Sequence, residues 1–241
     1  MKIPVIEGMI DRRILINFTA DPDIVQQLIP APFRPKVYKG KAIVGICLIR
    51  LKHIRPKGFP AAVGISSENG AHRIAVEWTE GGQTKEGVYI PRRDSSSLLN
   101  SLAGGRFFPG RHFRAKFDVK EGDGNYHIAF TSSDGTTIAI DANKTDELNP
   151  DSIFQHTDAA SKFFEGGSLG YSPSQKGLDG LKLKVFDWRV EPLNVRSVRS
   201  SFFENETLFP RGSVRFDNAL LMTQIRHEWH SYEPGPSHQI I

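Results

Sequence analysis

The chain has 241 residues, 39% of them hydrophobic and 24% charged, which is enough to bury a sizeable core and excludes a globally disordered chain. Its net charge of +4 is a mild excess, and no block of five or six basic residues occurs, which argues against a nucleic-acid surface. The 22 Gly and 15 Pro are spread along the chain, a pattern that suits many turns better than a helical bundle.

Taken in chain order, the signals are mostly those of strands. Residues 14–18 (ILINF), 42–51 (AIVGICLIRL), 72–78 (HRIAVEW) and 87–91 (GVYIP) are β-branched or aromatic runs bounded by turn residues. Thr79-Glu-Gly-Gly-Gln83 is a natural hairpin connection between the last two. Residues 114–119, 125–130 and 136–140 then follow as an antiparallel meander, joined at 121–124 and at Asp134-Gly135. The second of these joints reads as a type I′ turn, since both of its residues tolerate positive φ. Later strands are expected at 181–190, 195–203 and near 213–216. Helices are short and few. Asp21-Pro22 opens one over 22–28, Asp94 and the serines after it cap a second at 98–103, and Thr157 caps a third over 157–164 that Gly166-Gly167 closes. The expectation is a mainly β chain with a few short helices, forming one domain over 1–241 with a flexible tail at 232–241.

Cys47 is the single cysteine, so no intramolecular disulfide can form, and its apolar surroundings in sequence read as those of a small core residue. The first residues contain no apolar signal segment, and no apolar run reaches the roughly 18 residues of a membrane span; a cytoplasmic location is expected. His227 and His230 stand at i, i+3, compatible with a metal on a helix but without zincin spacing or an evident third ligand, so no metal is expected. Gly104-Gly105 and Gly166-Gly167 lack phosphate-loop spacing, no Gly-x-Ser-x-Gly elbow occurs, and no cofactor is expected.

Several motifs share an order along the chain: 17–35 (NFTADPDIVQQLIPAPFRP), 42–60, Ser66-Ser-Glu-Asn-Gly70, 86–91, Gly105-Arg-Phe-Phe-Pro109, 185–194 and Leu208-Phe-Pro-Arg211. In that order they resemble the acetoacetate decarboxylase-like superfamily, most closely its uncharacterised branch, domain of unknown function 2071. The resemblance implies an antiparallel, cone-like closed β barrel with a ligand pocket inside it, and a homo-oligomer. Enzymes of that family form a Schiff base through a lysine whose pKa a neighbouring cation lowers. The matching positions here are Gly110 and Arg111; glycine has no amine, and arginine stays protonated. The imine mechanism therefore does not carry over at this corner.

Lys116 shares strand parity with Gly110 and would be the substitute amine only if that face turned inward. Phe113, Ala115, Phe117 and Val119 form the rival, apolar face. Glu68 matches a pocket glutamate of the decarboxylases and is the candidate acid/base, whereas a second acidic position of those enzymes falls near Ile46 and is lost. Arg12 and Arg13 lie within one or two residues of the family's N-terminal pocket arginine, and either of them, like Arg111, could bind a substrate carboxylate in bidentate fashion. Phe108 joins these as a substrate-binding candidate, and His112 as a proton carrier. The expected ligand is a small organic acid. The protein is then either a lyase or isomerase without Schiff-base catalysis, or a non-catalytic binding or sensor protein on the same fold.

Overall fold

Long β-branched runs that alternate around buried glycines and aromatics have one economical use, which is to pair side by side until no edge is left. The computed structural model describes residues 4–97, 110–174 and 177–232. Its strands are β1 (Ile6–Ala20), β2 (Arg34–Pro35), β3 (Val37–Tyr38), β4 (Lys41–Pro56), β5 (Ile65–Glu80), β6 (Gln83–Ser95), β7 (His112–Gly122), β8 (Asn125–Ser132), β9 (Thr137–Lys144), β10 (Leu169–Ser174), β11 (Gly177–Val185), β12 (Glu191–Ser200) and β13 (Val214–Tyr232). Two helices, α1 (Pro22–Leu28) and α2 (Thr157–Glu165), complete the regular elements described here. The protein is mainly β, as its alternation predicts.

The pairings close two rings. In the first, β1, β4, β5, β6, β7, β8, β9, β12 and β13 each bond to the next, and β13 returns to β1. In the second, β6 bonds β10 in parallel, β10 bonds β11, and β11 bonds the far end of β13. Strands β13, β1, β4, β5 and β6 are thus a wall common to both rings. Alternation along this wall sends Ile14, Ile16, Val44, Ile46, Ile74 and Val76 into one core, shared with β7, β8 and β9. It sends Ile10, Leu15, Cys47, Leu51, Ala71 and Ala75 into the other, shared with β11 and α2.

Local chemistry accounts for most joints. Asp21 accepts a bond from the Asp23 amide at 2.9 Å and Pro22 occupies the first turn of α1, as the sequence predicts. Gly81 and Gly82, with φ of 57° and 76°, make the β5–β6 turn. Several expectations are corrected. The meander's I′ geometry falls at Asp123-Gly124 (φ 49° and 75°); at Asp134-Gly135 only the glycine has positive φ, and the Asp134 carboxylate instead accepts from the Thr136 amide in a wider loop. His156 stands at the cap of α2, with Thr157 already helical; Gly166 is the C-cap that closes the helix, as the sequence reads, and a 3-10 turn over Gly166–Ser168 follows. The strand expected at 181–190 ends at Val185, and the one at 195–203 runs from Glu191 to Ser200. The strand near 213–216 runs on to Tyr232, so His227 and His230 stand on opposite faces of a strand and share no helix face. Among the described residues no group of three or more His, Cys, Asp or Glu could hold a metal, and no helix is long and apolar enough to cross a membrane. The helix expected at 98–103, Phe108 and the tail from residue 233 lie outside the described residues.

Candidate functional site

Adjacent residues on a strand point to opposite faces, and β1 uses this at its centre. Arg12 turns into the first ring and is nearly fully buried. Its Nη2 donates to Glu68 Oε2 at 2.6 Å and its Nη1 to Glu121 Oε1. Arg50 closes the circuit, with Nε donating to Glu68 Oε1 at 2.5 Å and Nη1 to Glu121 Oε2 at 2.8 Å. Two guanidiniums and two carboxylates thereby tie β1, β4 and β5 to the end of β7. Both oxygens of Glu68 are occupied in this ring.

Arg13 turns the other way, into a cavity of about 110 Å³ inside the second ring. Arg13, Cys47, Arg73, Arg93 and His112 line it on one side. Cys47 pairs across β4–β5 with Ala71, and Arg73 stands two residues further along β5. Arg73 Nε lies 3.2 Å from Cys47 Sγ and Arg13 Nη2 lies 3.5 Å from it. Burial would push the Cys47 thiol up, but the two guanidiniums outweigh it and hold the thiol below its ordinary value. Cys47 is buried in the core, as its sequence surroundings read, and lies beside two cations.

Arg73 is buried, and burial pulls its guanidinium below the ordinary arginine value. It is anchored from behind. Its Nη2 donates to Asn17 Oδ1, Asn17 Nδ2 donates to Asn218 Oδ1 at 2.7 Å, and Asn218 Nδ2 donates to Asp217 Oδ2 at 2.5 Å. Among the described residues no carboxylate bonds Arg13 or Arg73.

Arg93 reaches the cavity through an irregularity. Between the pairs His72–Arg92 and Ile74–Tyr89, β6 carries one more residue than β5, around Ile90-Pro91. Such a bulge reverses side-chain parity, and Pro91 sits where a missing N–H costs least. Ile90 and Arg93 therefore share the cavity face, while Tyr89, Arg92 and Asp94 face the first ring. Arg93 keeps part of its side chain accessible at the cavity wall, yet the surrounding protein pulls its pKa down to about 10. Asp94, at the border of the cavity, is spent on Arg92, which donates to its two oxygens at 2.6 and 3.2 Å, and on Ser132 at 2.5 Å. Burial would raise this carboxyl, and those bonds outweigh it and hold it low. His72 lies 3.6 Å from Asp94, beyond hydrogen-bond reach, and burial pushes its pKa down.

The corner that carries the family resemblance borders this cavity. Gly110 has φ +115°, and a Cβ placed on it would come within 2.9 Å of Ser172 Cβ and 3.7 Å of Arg93 Nε. The backbone itself has adopted a glycine conformation at the position of the missing lysine. Arg111 is exposed and outside the cavity lining. Lys116 is exposed on β7, opposite the face where Ala115 is buried and Phe117 and Val119 are partly buried. No lysine is among the described residues that line the cavity.

Of the candidates named from sequence, the structure thus brings Arg13 and His112 to the cavity, joins Arg12 to Glu68 on the other face of the wall, and leaves Arg111 and Lys116 at the surface. Arg73 and Arg93 were missed. The available signal for Arg73 was a basic residue at an inward-alternating position of HRIAVEW; Arg93 carried none, because the bulge decides its direction.

The chain is similar in structure to acetoacetate decarboxylase from Legionella pneumophila, with a TM-score of 0.62 and 14% identity over 95% of this chain and 86% of that one. It is also similar to an acetoacetate decarboxylase-like enzyme from Sphingomonas wittichii RW1, with a TM-score of 0.58 and 12% identity over 98% and 95%. The enduracididine biosynthesis enzyme MppR, solved with the condensation product of pyruvate and imidazole 4-carboxaldehyde, gives a TM-score of 0.54 and 8% identity over 96% and 87%. At these identities the likeness is one of fold. No curated protein matches the sequence. The family model DUF2071, described as an uncharacterized conserved protein, matches residues 9–221. The chain belongs to that family and has the acetoacetate decarboxylase-like fold.

Proposed function

We infer that the protein binds a small carboxylic acid in the cavity of its second ring, with Arg13 and Arg73 as the carboxylate clamp. One observation carries this reading. Two guanidiniums converge in one cavity, and among the described residues no carboxylate bonds them. An anionic ligand supplies the missing charge, and charge-assisted bonds to it are the strong kind. The neighbours' fold, and MppR's complex with pyruvate, agree with a small acid as the class of ligand.

Two forms of the reading differ in chemistry. In the first, the protein is a lyase or isomerase that works without an imine, with His112 at the cavity as proton carrier and Glu68 as the acid/base implied by the resemblance. In the second, it binds and does not turn over. The Glu68 carboxylate stands across the wall from Arg13, held by Arg12 and Arg50, and this favours the second form. Borohydride trapping with β-keto acids is expected to leave no adduct; a trapped lysine would sink both forms. Glu68→Gln then separates them. Loss of a turnover with the fold intact supports the enzyme, and unchanged acid binding with no turnover in the parent supports the binder. The family resemblance further implies a homo-oligomer, which sedimentation of the intact chain tests.

A further inference from the structure

The cavity lining combines charged and apolar groups. Arg13 and Arg73 approach Cys47 from opposite directions along the strands, and Cys47 pairs through Ala71 to Arg93 on β6. Across from these on β11–β13, Leu183 pairs with Trp229 and Leu181 lies two residues away, while Ile10 pairs with Leu51 further along β1 and β4 themselves. Ile10, Leu51, Ile90, Leu181, Leu183 and Trp229 all line the cavity, and away from Asn69, Ser95 and Ser168 this apolar surface offers little for the hydroxyls or second carboxylate of a polar metabolite to bond. A dry protein cavity of about 150 Å³ holds benzene. The space of about 110 Å³ here suits a smaller apolar body, of about four or five carbons.

We propose that this cavity selects a short aliphatic monocarboxylic acid, with its carboxylate at Arg13 and Arg73 and its apolar body against Leu181, Leu183 and Trp229. The proposal rests on the acid-binding reading above and narrows it from any small acid to an amphiphilic one. Oxo, hydroxy and dicarboxylic acids of the same length place a polar group against the apolar surface and lose affinity there.

Calorimetric titration of the intact protein with acetate, propionate, isobutyrate and isovalerate tests this, with pyruvate, succinate and isovaleramide as comparators. Each added carbon is expected to tighten binding about 4-fold, the value of about 0.8 kcal/mol per buried methylene. A flat series, or pyruvate or succinate binding more tightly than isovalerate, overturns the apolar selectivity and leaves the acid cavity standing. Failure of every acid to bind, or equal binding of isovalerate and its neutral amide, sinks the acid cavity itself. Leu183→Ala should narrow the isovalerate-to-acetate ratio several-fold. Leu183→Val, a smaller change suited to a marginal fold, should narrow it less. An unchanged ratio in a folded variant removes the body from this surface.

Discussion

Arg73 is the residue on which most of the site turns, because it is buried, touches Cys47 and is held from behind by Asn17. Hydrogen bonds to charged groups are worth about 1.5–3 kcal/mol, so Arg73→Met should weaken acid binding by about 10- to 100-fold, read by calorimetry. The Arg12 circuit predicts a different outcome. Arg12→Met leaves Glu68 and Glu121 facing each other with Arg50 as the remaining cation of the circuit. Because both glutamates are partly exposed, the cost should be about 2–3 kcal/mol in urea unfolding, below the full penalty for a broken buried pair. Acid binding in the cavity should change little, since Arg12 faces the other ring. At the corner, Gly110→Lys restores the family's amine by name only. With φ at +115° and Ser172 in the way, it should cost about 1–3 kcal/mol and still give no borohydride adduct.

At the scale of elements, β13 carries a buried histidine whose titration should be visible in stability. Burial pulls His227 down to about 4, against 6.5 when unfolded. Between these values the unfolded chain binds the extra proton, so stability is full above pH 6.5 and falls as pH drops towards 4. The loss should approach about 3 kcal/mol. His72 is lowered by burial too and adds to the same slope. Comparing urea midpoints of the parent and His227→Phe from pH 7 to 4 checks this; an equal slope in both would remove His227 from the account. Element existence was legible because alternation is local. The strands over 42–51, 72–78 and 87–91 and helix α1 are all present where their sequence signals lie. Strand β10 (LGYSPS) was not legible, since its Gly and Pro read as loop and its parallel pairing to β6 is a tertiary event. The extension of β13 through His227–Tyr232 was hidden by a histidine spacing that also suits a helix.

For the whole molecule, two rings that share five strands cannot be parted without opening both. We propose that residues 1–241 form one domain, for which a single denaturant transition with coincident fluorescence and circular dichroism midpoints is expected. A ligand held inside one ring should also stabilise the whole chain, by about 2.7 kcal/mol when it is present at 100 times its Kd. That rise should vanish in Arg73→Met.

The sequence alone determined the strand-rich class, the short first helix, the family resemblance and the loss of the reactive lysine pair at Gly110-Arg111, because each depends on residue identity and spacing over a few positions. Tertiary structure alone decided which face of β1 meets a cavity, that a bulge near Pro91 sends Arg93 into it, and that Glu68 is bound to Arg12 and Arg50. Side-chain parity repeats every two residues, and one inserted residue reverses it. The partners of a buried charge are then set by register between strands far apart in the chain, and no local pattern encodes that.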